Sequence, residues 1–297
     1  MATERAAALP AYDRPWAYVV LTKPDVTFLV VITTVAGFYL GSTGPMEWIR
    51  LLQTLCGTLL VAGGTAALNQ YIEREMDSVM RRTAARPLPA GILRPAEVLW
   101  FGIATIGAGT LWLALAINAL SAFIALATSV SYLAAYTPLK TRTTLATAVG
   151  AIPGALPPLI GWAAARGNLS GGAWVLFAIL FVWQFPHFMA IAWMYREDYG
   201  RAGILMLPVV DPSGDRTYRL ILVTSALLIP ITLLPAIVGM NGIAYLFGAF
   251  ILGIMMLQVA CWANRSRTNL RAKWLMHATV AHIPILLVWM ILDKMTR

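Results

Sequence analysis

Asn69, Glu73 and Asp77 recur every four residues at the end of an otherwise apolar segment. Residues at i, i+4 and i+8 of a helix drift by only about 80°, so these three oxygen-bearing side chains form one stripe. A carboxylate at the centre of a membrane helix costs about 2.5–3.5 kcal/mol, so the stripe needs a compensating partner. Hard oxygen donors suit Mg2+, which binds one or two carboxylates and takes further oxygens from phosphate. Without a cation, carboxylates repel a diphosphate by about 4 kcal/mol per unit pair at 4 Å in an effective dielectric of 20. Arg82 and Arg86 follow the stripe and can grip a departing diphosphate through forked hydrogen bonds that lysine cannot copy. The plain alternative is a solvated helix end with i,i+4 charge pairs. Asn69 argues against it, because it carries the stripe into the apolar span.

A second constellation runs from Trp183 through Pro186 and His187 to Tyr195, Glu197, Asp198 and Tyr199. Continued as one helix, it places His187, Met194 and Asp198 within about 40° of one another. Asp198 then lies at the depth of Asp77, with His187 deeper. His187 reads either as a satisfied core histidine or as a ligand beneath a metal site. Tyr136 and Lys140, four residues apart, can reach phosphate oxygens from the rim of the same space. His277 and His282 fall about 140° apart and cannot clamp a metal from one helix face; core or lipid-rim positions suit them. Cys56 and Cys261 lie singly in apolar spans and read as packing residues.

The elements that must hold these groups are membrane helices. The 297 residues are 59% hydrophobic and 12% charged, with mean hydropathy +0.73, against about 25% charged in a soluble domain. Nine stretches of spanning length stand near 26–42, 49–68, 96–115, 118–137, 144–162, 172–194, 219–238, 242–262 and 275–293. The first is short and can start further back, between Trp16 and Thr22. The fold class is therefore all-α integral membrane, with nine transmembrane helices around a central cavity open to the cytoplasmic side. The chain is one domain, 1–297, with residues 1–15 as a flexible tail.

A net charge of +9 does not point to nucleic acid, because its distribution has another cause. Of the 22 Lys and Arg residues, all but Arg50, Arg166, Lys294 and Arg297 fall on one side of the nine spans. The positive-inside rule makes that side cytoplasmic, with the N-terminus inside, the C-terminus outside and lipid around the spans. The first residues, Arg5 included, show no secretory signal pattern. Pro153, Pro157, Pro158, Pro186, Pro230 and Pro235 should kink their helices around an internal space. A secondary transporter is the alternative of another class, but it needs polar groups near the midplane. Here they gather at one end.

Several stretches together resemble the intramembrane polyprenyltransferase superfamily, and within it the members that farnesylate heme b. They are Leu21-Thr-Lys23-Pro24, the Asn69–Asp77 stripe, Asp77-Ser-Val-Met80-Arg-Arg82-Thr83-Ala-Ala-Arg86-Pro87-Leu88, Tyr136 to Lys140, Pro157-Pro-Leu-Ile-Gly161-Trp162, Trp183-Gln-Phe-Pro-His187-Phe, and Asp198-Tyr199 with the residues after it. The resemblance implies a nine-helical, Mg2+-dependent enzyme that moves a farnesyl group from farnesyl diphosphate to a vinyl group of heme b. It implies Asn69, Glu73, Asp77 and Asp198 around the metal, and Lys23, Arg82, Arg86, Tyr136 and Lys140 on the diphosphate. His187 becomes the heme contact, and Trp183, Phe185 and Tyr195 candidate walls around the allylic cation. Two departures stand out. Met194 and Ala202 flank Asp198 where many relatives carry a second aspartate, and Glu73 stands where many have aspartate. A quinone precursor or a chlorophyll-type molecule is the alternative acceptor, and partner proteins for heme hand-off are not named by these motifs.

Overall fold

The computed structural model describes residues 13–294, so Arg5, Arg297 and residues 1–12 of the expected tail lie outside the described residues. Asp13 caps α1 (Arg14–Leu21) by accepting the Trp16 backbone N–H at 3.2 Å. The Trp16–Thr22 run is thus a separate short helix rather than the start of the first span. Lys23 breaks the path with a left-handed backbone (φ 48°, ψ 68°), and Pro24 opens α2 (Pro24–Gly41) with its ring preset for a helix.

The second span corrects the sequence expectation most. α3 (Trp48–Val79) runs for 32 residues without a break, whereas the apolar pattern ends at 68. The extension is rich in Glu, Arg, Met and Gln, which are good helix formers whatever their hydropathy. It keeps Glu73 and Asp77 on the helix that carries Asn69.

α4 (Pro95–Ala116) and α5 (Ala119–Val130) follow, and α5 passes through a π-helical turn (Ser131–Tyr136) into the single turn of α6 (Thr137–Leu139). The kink expected at Pro153 and Pro157 is a full break between α7 (Ala146–Gly154) and α8 (Pro157–Arg166). Gln184 bridges it by donating to the Ala151 carbonyl at 3.0 Å, so a polar backbone group at the break faces protein instead of lipid. Gln184 belongs to α9 (Gly171–Met194), followed by α10 (Arg196–Arg201), α11 (Leu207–Val210), α12 (Asp215–Ile237), α13 (Ile243–Asn264) and α14 (Asn269–Leu292). Pro186, Pro230 and Pro235 lie inside helices that continue past them.

Among the described residues, nine helices or joined helices are long and apolar enough to cross a membrane, which matches the nine expected spans. The most apolar windows of α7–α8 and α9 are 67% and 61% buried, against 22% for α4, so these two spans form the centre. Small residues let the helices close in. A Cβ added to Gly37 of α2 lies 2.0 Å from the Pro158 carbonyl oxygen, and one added to Gly161 lies 2.0 Å from that of Thr34. Cys56 and Cys261 are exposed on the outer helix surface, so the packing role expected of them is wrong.

The sparse charges at the far end are structural. Lys294 Nζ donates to the carbonyls of Tyr39 and Ser42 at 2.6 and 2.7 Å, and Arg166 Nε donates to Gly41 O at 2.8 Å. Together they satisfy the open C-terminal carbonyls of α2 and complement its dipole. Asp293 does the converse for α13, accepting the N–H groups of Gly242 and Tyr245 at 2.8 and 2.9 Å.

Candidate active site

The stripe on α3 faces the bundle interior at its basic end: Asn69 is 1%, Glu73 6% and Asp77 0% exposed. Each holds a basic side chain from another segment. Asn69 Oδ1 accepts from Lys23 Nζ at 2.7 Å, Glu73 Oε1 pairs with Lys140 Nζ at 2.5 Å, and Asp77 Oδ2 with Arg86 Nη1 at 2.7 Å. Local folding explains the last pair. After α3 the chain turns back, with Thr83 and Ala84 donating to Met80 O and Arg86 to Thr83 O, while Thr83 Oγ1 donates to Asp77 O at 2.9 Å. That turn returns Arg86 to the helix it has just left.

Lys23 reaches Asn69 because its left-handed backbone turns the side chain inward, at a cost of order 1–3 kcal/mol that the surrounding contacts must hold. Burial drags its ammonium down to about 7, with the Arg86 guanidinium pressing the same way and Glu73 opposing. Lys140 moves in the opposite direction. Burial disfavours its charge, yet Tyr136, Tyr132 and Glu73 together carry it above the ordinary lysine range.

The π-helical turn contributes what the motif alone did not show. Tyr132 and Tyr136 meet at a tilt, with ring centres 5.1 Å and planes 60° apart, and Lys140 Nζ sits 4.4 Å from the Tyr136 ring centre and 5.8 Å from that of Tyr132. A π turn takes about 4.4 residues, so an i,i+4 pair falls more nearly in line there than on an α-helix, and such turns gather at functional sites. Thr137 anchors the turn, donating to Tyr132 O at 2.9 Å and accepting from Asn69 Nδ2 at 3.4 Å.

The opposite wall comes from α9 and α10. Arg82 donates to the Tyr199 hydroxyl at 3.5 Å and lies 5.1 Å from the Tyr195 ring centre. Asp198 does not continue the face of His187, because α9 ends at Tyr195 (φ −108°, ψ 19°) and α10 starts afresh. Its carboxylate pairs with Arg201, and no hydrogen bond or ion pair ties it to Glu73, Asp77 or Arg86 among the described residues.

His187 is held on one side only. Its Nδ1 is 2.8 Å from Thr279 Oγ1 of α14, and its ring stacks on Trp183 at 4.9 Å with planes 14° apart. Trp183 is 3% exposed and donates to Thr279 O at 2.8 Å, so it belongs to the α9–α14 seam rather than to a wall near the carboxylates. His277 is exposed and His282 buried, as expected of rim and core positions.

The residues fit a hard divalent cation. Asp77 Oδ1 is buried and has no hydrogen-bond partner among the described residues, which leaves a carboxylate oxygen free to bind. Among the described residues, no three His, Cys, Asp or Glu side chains enclose a metal by themselves. Mg2+ takes one or two carboxylates and fills its remaining positions with waters and phosphate oxygens. The structure brings Asn69, Glu73, Asp77, Lys23, Arg86, Tyr136 and Lys140 together, sets Arg82 at the rim and leaves Asp198 beside it.

Comparison with known proteins agrees with this geometry. Residues 30–285 match the UbiA prenyltransferase family. The chain is 49% identical to a protoheme IX farnesyltransferase of Solibacter usitatus, over 93% of this chain and 98% of the relative. It is 44% identical to one of Koribacter versatilis, over 93% of each. A digeranylgeranylglyceryl phosphate synthase structure superposes with TM-score 0.78 at 17% identity, covering 95% of this chain and 99% of that one. A UbiA homologue of Archaeoglobus fulgidus bound to DMAPP and Mg2+ superposes with TM-score 0.64 at 15% identity, covering 92% and 98%. At these identities the two structures speak to the fold.

Proposed function

The chain belongs to the UbiA prenyltransferase family, and on that premise we propose that this multi-pass membrane prenyltransferase transfers a farnesyl group from farnesyl diphosphate to a vinyl group of heme b, making heme O. The carrying observation is the buried row Asn69, Glu73 and Asp77, each matched to one cation, with Asp77 Oδ1 left unpartnered. The names of the close relatives support the donor and the acceptor.

Asn69, Glu73 and Asp77 would hold Mg2+, which supplies positive charge that offsets their repulsion of the diphosphate and stabilises it as it leaves. Asp198 joins that set only once Arg201 lets it go. Lys23, Lys140 and Arg86 turn from the stripe to the diphosphate oxygens, with Arg82 and Tyr136 at the rim. Charge builds on those oxygens as the C1–O bond breaks with its electron pair, so these contacts strengthen in the transition state. The vinyl π electrons form the new bond to C1 of the farnesyl cation, and water adds to the cation left on the porphyrin side chain and loses a proton. His187 faces the acceptor iron through Nε2, a neutral nitrogen suited to an axial position. The basic end lies in the cytoplasm, since Lys and Arg gather there.

The test is a product assay by mass spectrometry. Purified protein with Mg2+ and farnesyl diphosphate should convert heme b, and leave 4-hydroxybenzoate untouched. Product from 4-hydroxybenzoate alone overturns the acceptor.

A further inference from the structure

The hydrogen bonding around Thr279 settles which nitrogen of His187 is free. The Thr279 hydroxyl has one proton, and it donates that proton to Met276 O at 2.6 Å. Toward His187 Nδ1, 2.8 Å away, it can therefore only accept. Nδ1 carries the imidazole proton, and Nε2 keeps its lone pair with no partner among the described residues. Trp183 fixes the remaining freedom, with its ring against the imidazole and its Nε1 on the Thr279 carbonyl.

We infer that Thr279 is a positioning residue for the acceptor: it locks His187 in the Nδ1–H tautomer, so that Nε2, the nitrogen that α14 does not hold, is presented as a ligand to the heme iron. This rests on the proposed acceptor and assigns α14 a part in binding it. Metal-bound histidines depend on such outer contacts for orientation and basicity, and losing one typically weakens binding about 10–100-fold.

The experiment titrates the detergent-solubilised protein with ferric heme b, followed by absorption and electron paramagnetic resonance. Wild type and Thr279→Ser should give the same nitrogen-ligated spectrum. Thr279→Val keeps the backbone carbonyl that Trp183 uses, yet should bind heme about 10–100-fold more weakly with a changed spectrum, while KM for farnesyl diphosphate stays put. In a His187→Ala background the Thr279→Val change should add nothing, because Thr279 acts through that ring. Normal heme spectra and affinity in Thr279→Val overturn the inference, as does a further loss in the His187→Ala background. A wild type that takes up no heme removes the acceptor reading and this inference with it.

Discussion

Lys140 Nζ lies 2.5 Å from Glu73 Oε1 while facing the rings of Tyr136 and Tyr132. An ammonium therefore occupies the negative pocket that the proposed chemistry fills with a metal-bound diphosphate. Both side chains are close to buried, at 11% and 7% exposure. Removing one partner of such a pair costs about 3–5 kcal/mol, because it strands the other charge. Lys140→Met should lower the melting temperature without ligand, and Glu73→Gln with Lys140→Met should recover most of the loss. Added Mg2+ should raise the melting temperature of Lys140→Met more than that of wild type, since Glu73 is then free to bind it. Equal Mg2+ shifts in the two proteins refute the exchange.

Asp77 tests the metal reading most directly, since one of its oxygens holds Arg86 and the other is bare. Asp77→Ala and Glu73→Ala should each reduce kcat/KM at least 100-fold, roughly the loss expected when one transition-state charge contact goes. Membrane insertion should be normal, as the helix is set by its apolar face. Chelation should abolish turnover, and Mg2+ or Mn2+ should restore it, because the donors are hard oxygens. Arg86→Lys keeps the charge and loses the fork, so its defect should be real but smaller. Near-normal turnover in both alanine variants sinks the metal site.

Lys23 separates side-chain function from backbone strain. Its φ of 48° disfavours any residue with a Cβ by about 1–2 kcal/mol, and glycine escapes that cost. Lys23→Gly should thus unfold at higher temperature than Lys23→Ala, while both lose the amine that reaches Asn69 and bind diphosphate equally poorly. Matching melting curves for the two variants argue that the backbone there is unstrained.

Much of this site is legible in the sequence. Asn69, Glu73 and Asp77 share a helix face because period and spacing alone dictate it, and hydropathy marked all nine spans. The errors have physical causes. Hydropathy could not see that α3 continues past Leu68, because helix propensity rather than apolarity carries it to Val79. A uniform helical period hid the break at Tyr195, which takes Asp198 off the His187 face. Thr279 lies 92 residues from His187, and no local pattern reports such a contact. Tyr132 stands four residues before Tyr136, a spacing that shares a helix face as it does for Glu73 and Asp77, so it was legible in the sequence and goes unused in the motif reading.

The charge asymmetry makes a separate prediction about orientation. A reporter active only outside the cytoplasm should be active when fused after the ninth span, and silent when fused in the segment between α3 and α4. The reversed pattern overturns the assignment of the basic end to the cytoplasm.

Tyr132 offers the most selective probe of how the site treats positive charge. Its ring already faces the Lys140 ammonium at 5.8 Å, and Tyr136 completes a two-sided aromatic contact. On the proposed chemistry, Lys140 turns to the diphosphate and the same faces would border the carbon that becomes positive. A cation over an aromatic face gains about 0.5–2 kcal/mol, the upper end when water is excluded. Tyr132→Leu should therefore lower kcat by about two- to thirtyfold, with little change in KM for farnesyl diphosphate. Tyr132→Phe keeps the ring and should stay close to wild type, which distinguishes the π face from the hydroxyl. Equal loss in both variants assigns Tyr132 to hydrogen bonding, whereas no loss in either returns it to the wall of the bundle.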